Sequence, residues 1–242
     1  MEKTTLFAVA YAGGSAKATF SKWSKHLGDE IEVLPLEFAG HGHRMSEPSP
    51  SNVEEIVEDL MQTIRPVVQS NQAYAFYGHS MGCVVVYELV KRMSEEGFEP
   101  PKALFLSARR SPDTLPTTHY HALSDEQFLQ EIKMIGGTPS HFFDNPLLVD
   151  AFLPVLRNDY RIIEQYRVNE PVHISSADIH FFLSDADSMV SDTTVRGWER
   201  FTQGQVYVYN FSGGHFFIND CYRDISRIVR AKVFKRRERI IA

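Results

Sequence analysis

The run Ala73-Tyr74-Ala75-Phe76-Tyr77-Gly78-His79-Ser80-Met81-Gly82-Cys83-Val84-Val85-Val86-Tyr87-Glu88-Leu89-Val90 decides the fold. From Ala73 to Tyr77 it is apolar on both faces, as a central strand covered by helices must be. From Val84 to Val90 it is apolar nearly all round, which predicts a deeply buried helix. Gly78-x-Ser80-x-Gly82 joins the two. A serine held at a sharp strand-to-helix turn brings the residues two positions either side of it together, and only small residues fit there.

Outward from this run, short apolar stretches alternate with helical periodicities, the pattern of a parallel sheet flanked by helices. Predicted strands are Leu6–Ala10, Ile31–Leu36, Tyr74–Tyr77, Ala103–Ser107, Ile179–Leu183 and Val206–Tyr209. Val53, Ile56, Val57, Leu60, Met61, Ile64, Val67 and Val68 share one helical face, with Ser51 and Glu54 ahead of it at capping-box spacing. Ile225, Ile228, Val229 and Val233 mark an amphipathic C-terminal helix. From about Ser111 to Pro171 there are helices and no convincing strand. One carries Phe128, Leu129, Ile132 and Ile135, capped by Ser124 and Gln127. Another carries Leu148, Phe152, Val155, Leu156, Ile162 and Ile163, with Pro154 as an expected bend or break. Gly136, Gly137 and Pro139 separate the two. Helices inserted between sheet strands suggest a lid over the sheet's C-terminal edge, where α/β sites lie.

The 242 residues, 43% hydrophobic and 23% charged, suit one domain spanning 1–242 with its lid at about 111–171. A net charge of -6 argues against a nucleic-acid partner. The apolar run Leu6–Ala12 is too short for a membrane span or signal peptide. Two cysteines, Cys83 and Cys221, do not make a disulfide framework. A cytoplasmic monomer that needs neither metal nor cofactor is the default expectation.

Ser80 is in the context of a nucleophile elbow, above the sheet and at the positive end of the following helix. A serine nucleophile needs a base. Of ten histidines, His215 stands out: it follows the last predicted strand, after Gly213-Gly214 and before Phe216-Phe217, where it can reach over the sheet edge. His41 with His43, and His119 with His121, form H-x-H pairs with no further ligands at metal spacing; they read as solvated loops. His79 reads as structural, while His26, His141, His173 and His180 have no distinguishing context. Asp185 and Asp187 both follow the strand Ile179–Leu183, either able to orient the base, and the chain order Ser, Asp, His is that of α/β-hydrolases. Asp192 reads as a helix cap. A developing oxyanion needs two donors: the Met81 N–H beside the serine, and Ala12 in Tyr11-Ala12-Gly13-Gly14-Ser15.

Together these motifs resemble the type II thioesterases that accompany nonribosomal peptide and polyketide synthetases, over nearly the full length. The resemblance rests on Tyr11–Ala16, Ala39-Gly40-His41-Gly42-His43-Arg44, Gly78–Gly82, Ser107-Ala108-Arg109-Arg110-Ser111-Pro112 and Gly213–Phe217. Its most specific part is the insertion run Phe152-Leu153-Pro154-Val155-Leu156-Arg157-Asn158-Asp159-Tyr160-Arg161, then Glu164 and Tyr166. It implies an α/β-hydrolase fold, a triad of Ser80, Asp187 and His215, and an oxyanion hole lined by Ala12 and Met81. Where the family has Gly-Asp-x-Asp, this chain has Ser184 in place of the glycine, which keeps Asp185 as the alternative acid.

The resemblance further implies hydrolysis of acyl groups from the phosphopantetheine arm of a carrier protein, clearing misacylated or stalled synthetases. Met134, Phe142, Phe143, Leu147 and Phe152 are candidates for an apolar acyl chamber. The basic run Lys235, Arg236, Arg237 and Arg239 reads as a solvated helix end rather than a docking surface. A carboxylesterase or lipase using the same triad, and acyl transfer to another acceptor, are the alternatives.

Overall fold

The computed structural model describes residues 3–70, 72–168, 173–190 and 195–234. Six strands form one sheet: β1 (Thr4–Val9), β2 (Ile31–Leu36), β3 (Tyr74–His79), β4 (Leu104–Ser107), β5 (Ile179–Ser184) and β6 (Val206–Phe211). Their order is β2-β1-β3-β4-β5-β6, and every neighbouring pair is parallel. All strands therefore end at the same edge. The chain leaves β1 towards β2 on one side and leaves β3 towards β4 on the other, so the switch point lies between β1 and β3.

Strand side chains alternate between two helical layers, as the period of two demands. Phe7, Val9, Phe76 and Phe181 pack against α3 (Val53–Gln69) and α4 (Met81–Glu95). Leu6, Ala8, Tyr77, Phe105 and Phe182 pack against the α1 (Ala16–Phe20), α2 (Ser24–Leu27) and C-terminal α8 (Ile218–Val233) side. The helix from Met81 is buried nearly all round, including Val84, Val85, Val86, Leu89 and Val90.

Between β4 and β5 lie α5 (Asp125–Ile135), α6 (Ser140–Phe143) and α7 (Pro146–Gln165). Phe128, Ile132 and Leu156 form their own small core. Ser124 and Gln127 make the capping box expected of them. At α3 the cap is shifted by one residue: Asn52 accepts from the Glu55 N–H at 2.8 Å, and the Ser51 N–H donates back to Glu55 Oε2 at 2.7 Å. Ser51 and Glu54 fit the same spacing rule, and asparagine and serine cap about equally well, so spacing alone does not choose between them. Pro154 does not break α7, which runs through it with the loss of one amide donor. Arg157 anchors the following turn by donating to the His121 and Leu123 carbonyls at 2.8 and 2.7 Å. Pro171, Asp192 and the basic run from Lys235 lie outside the described residues.

Candidate active site

β3 delivers Ser80 at the sheet's C-terminal edge, and α4 begins at the next residue. Ser80 has φ 53° and ψ -114°, a conformation L side chains rarely adopt. The neighbouring glycines are sterically required. A Cβ on Gly78 would lie 2.6 Å from the Gly82 carbonyl oxygen, and one on Gly82 would lie 2.5 Å from Val9 O. The turn is pinned from β4, where Ser107 O accepts the Ser80 N–H at 2.8 Å. The Cys83 thiol donates to Gly78 O and Ser107 O at 3.2 and 3.1 Å. Burial pushes that thiol up to about 12, so Cys83 serves as a strut and not as a nucleophile.

The loop after β6 brings His215 over this turn. Its Nε2 is 2.9 Å from Ser80 Oγ and its Nδ1 is 2.8 Å from Asp187 Oδ2. Asp187 is held in turn, its Oδ1 accepting the Met189 N–H at 2.9 Å. Asp185 is exposed and accepts the Gly213 N–H at 3.0 Å, on the loop that carries His215. Ser184, the departure from the family pattern, also holds that loop by donating to Gly214 O at 3.0 Å.

His79 is fully buried beneath the turn, with its ring centroid 5.6 Å from that of His215. Its Nδ1 is hydrogen-bonded to Ser107 Oγ at 2.7 Å, which is also hydrogen-bonded to the Tyr77 hydroxyl at 2.9 Å. Desolvation, reinforced by neighbouring His215, holds the His79 pKa well below its usual value, so it stays neutral beside the reacting groups.

Two elements bring backbone amides towards this turn. Met81 opens α4, so its N–H is a first-turn amide that the helix leaves without an acceptor. In the loop after β1, the Gly13 N–H is committed to Asp159 Oδ2 at 2.7 Å and the Gly14 N–H to Tyr11 O at 2.9 Å. The Ala12 N–H beside them is the donor that the sequence pattern expects from this loop. Beside it opens a cleft of about 400 Å³ lined by Ala12, Gly13, Phe142, Phe152, Leu156 and Phe216, among others. Two residues expected there are elsewhere: Met134 is 73% exposed and Leu147 79% exposed. Phe143 packs against the small core of the insertion.

Two H-x-H histidines are not solvated. His41 is only 3% exposed, with Nε2 2.8 Å from Asp159 Oδ2. His121 places Nδ1 2.5 Å from the buried Glu164 carboxylate, which also takes the Tyr120 and His121 amides. A signal existed in the sequence. Asp159 and Glu164 sit beside Leu156, Ile162 and Ile163 on an apolar helical face, and a carboxylate there has to find buried partners. Among the described residues no three or more His, Cys, Asp or Glu side chains group as a metal ion would need, and no helix is long and apolar enough to cross a membrane.

Residues 4–233 match the thioesterase domain family. The chain is 32% identical over 220 residues to the thioesterase PikA5 of Streptomyces venezuelae, covering 91% of this chain and 77% of that one. The crystal structure of ClbQ from the colibactin NRPS/PKS pathway superposes with a TM-score of 0.88 at 33% identity, over 96% of this chain and 97% of its own. The type II thioesterase BorB from the borrelidin biosynthetic cluster gives 0.85 at 31% identity, over 96% and 93%.

Proposed function

Because the chain belongs to the thioesterase family, we propose that it works as a type II thioesterase, releasing acyl groups from carrier-protein thioesters through an acyl-serine. The observation that carries this is the unbroken chain from Ser80 Oγ through both ring nitrogens of His215 to Asp187, at 2.9 and 2.8 Å.

The steps follow from that geometry. With its Nδ1 proton donated to Asp187, His215 presents an unprotonated Nε2 to Ser80 and takes the hydroxyl proton as Oγ attacks the thioester carbonyl. The carbonyl oxygen becomes an anion, held by the Met81 and Ala12 amides; one such donor is worth roughly 3–4 kcal/mol of barrier. The C–S bond breaks, and the sulfur leaves with the proton from His215. Water then repeats the attack with His215 as base and frees the acid and Ser80.

A thioester between an acyl group and a phosphopantetheine arm fits the site, the acyl end in the aromatic cleft at Phe142 and Phe152 and the arm leading outward to the carrier. Relatives from synthetase pathways support this substrate class and the clearing of misloaded carriers. The test is incubation with several acyl-loaded carrier proteins, read as the mass of the intact carrier. Loss of the acyl mass with wild type and none with Ser80→Ala is expected. Turnover confined to simple oxygen esters would overturn the reading.

A further inference from the structure

The loop that supplies Ala12 is held by two buried carboxylates from elsewhere in the chain. On one side Glu37 accepts from Ser15 Oγ, the Ala16 N–H and the Lys17 N–H at 2.8, 2.7 and 3.3 Å. On the other side Asp159 reaches down from α7 to the Gly13 N–H at 2.7 Å. Residues 13 and 159 are 146 positions apart in sequence, yet α7 lies directly on the loop. A Cβ on Gly13 would be 2.6 Å from Leu156 Cδ1 and 2.8 Å from Phe152 Cζ.

Asp159 is completely buried. A carboxylate there must be neutralised or balanced. His41 balances it. Both of its ring nitrogens face acceptors, Asp159 Oδ2 at 2.8 Å and Ala39 O at 3.1 Å, so both donate and the ring carries a positive charge. Asp159 Oδ2 thus receives one neutral amide and one charged N–H, while Oδ1 has no partner among the described residues. The oxygen that makes both bonds is the one aimed at the loop.

We propose that Asp159, backed by His41, is a positioning residue for the oxyanion hole: it fixes the Gly13 amide so that the preceding Ala12 N–H points to the substrate oxygen, and it does so only while α7 is seated. The inference rests on the reading of Ser80 as an acyl-transfer nucleophile. The insertion then does more than cover the cleft, since the donor is aligned by the same helix that closes over the acyl chain. Displacing α7 takes away both the Gly13 acceptor and the Phe152–Leu156 contact.

The test is steady-state hydrolysis of an acyl-carrier thioester by the full chain carrying Asp159→Asn, with Glu164→Gln as control. Glu164 also anchors α7, but to residues 118–121, away from the loop. An asparagine oxygen can still accept from Gly13 and His41, but without the carboxylate charge that holds them, and it puts an unpartnered buried NH2 at the Oδ1 position, so the hold on the loop is loosened rather than removed. Asp159→Asn is expected to lower kcat about 10–100-fold, short of the full loss of a donor, with KM within about twofold. An alkyl boronic acid, which forms a tetrahedral anion on Ser80, loses affinity by the same factor, whereas a thioether analogue of the substrate binds unchanged. Glu164→Gln stays within about threefold of wild type. Wild-type kcat in Asp159→Asn would overturn the proposal, as would equal losses from both variants or a parallel loss of thioether binding. If Asp159→Asn does not fold, His41→Asn carries the test, with a smaller fall in kcat expected and an unchanged kcat overturning it. A wild-type enzyme inert toward every acyl-carrier thioester would instead defeat the functional reading itself.

Discussion

Two regions at the C-terminal edge of the sheet each hold a buried imidazole 2.8 Å from an aspartate oxygen: His215 with Asp187 at the rim beyond β5 and β6, and His41 with Asp159 where α7 meets the loop after β1. The pairs differ in what the other ring nitrogen faces. For His215 it is the Ser80 hydroxyl, which can give up a proton, whereas for His41 it is the Ala39 carbonyl, which can only accept one. One ring can take a proton from its third partner, and the other faces acceptors on both sides. A His–Asp contact is therefore not by itself the mark of a base; the third partner decides its role.

The largest break in that comparison comes from Asp187→Asn. The Met189 N–H holds the side-chain oxygen at Oδ1, so the new amide turns its NH2 toward His215 Nδ1. That favours the tautomer with its proton on Nε2, facing Ser80, and the ring can no longer act as base. Turnover of acyl-carrier thioester should fall on the order of 10⁴-fold, with thermal unfolding little changed. A loss under about tenfold would mean that the rim pair does not orient a base.

The second pair is read by pH. Burial opposes charging His41, but its hydrogen bond and charge interaction with Asp159, together with Ala39 O and Glu37, outweigh that and raise its pKa above 6.5. A raised folded value gives stability that is complete below pH 6.5 and is lost as pH climbs through the folded pKa. The unfolding midpoint of wild type should thus exceed that of His41→Asn most at mildly acidic pH, with the gap closing under alkaline conditions. The NMR titration of the His41 ring should show a midpoint above 6.5; a midpoint below it would remove the distinction between the two rings.

The two regions were unequally legible in sequence. The elbow could be read because everything that builds it is local: an apolar run, two glycines two residues from a serine, then a second apolar run. His215 followed from its place after the last strand and its preceding glycines. The pair His41–Asp159 joins residues 118 apart, and a histidine between glycines looks solvated until the fold lays a helix on it. Met134 and Leu147 failed for the converse reason, since an apolar residue in a helical insertion has no sheet that obliges it to face inward. The cap of α3 was misplaced by one because Ser51-x-x-Glu54 and Asn52-x-x-Glu55 satisfy the same spacing.

The smallest effect sharpens the rim pair. Sequence placed two carboxylates two residues apart on an irregular loop, where no periodicity tells which side chain turns inward, and Ser184 left the family spacing open. The structure separates them: Asp187 is buried against His215, and Asp185 is exposed and accepts the Gly213 amide. An exposed hydrogen bond of this kind contributes about 1 kcal/mol or less, and an asparagine oxygen can still accept it. Asp185→Asn should therefore keep kcat within about threefold and leave the pH profile unmoved. A loss approaching that of Asp187→Asn would mean that the loop can slide two residues and present either acid to His215.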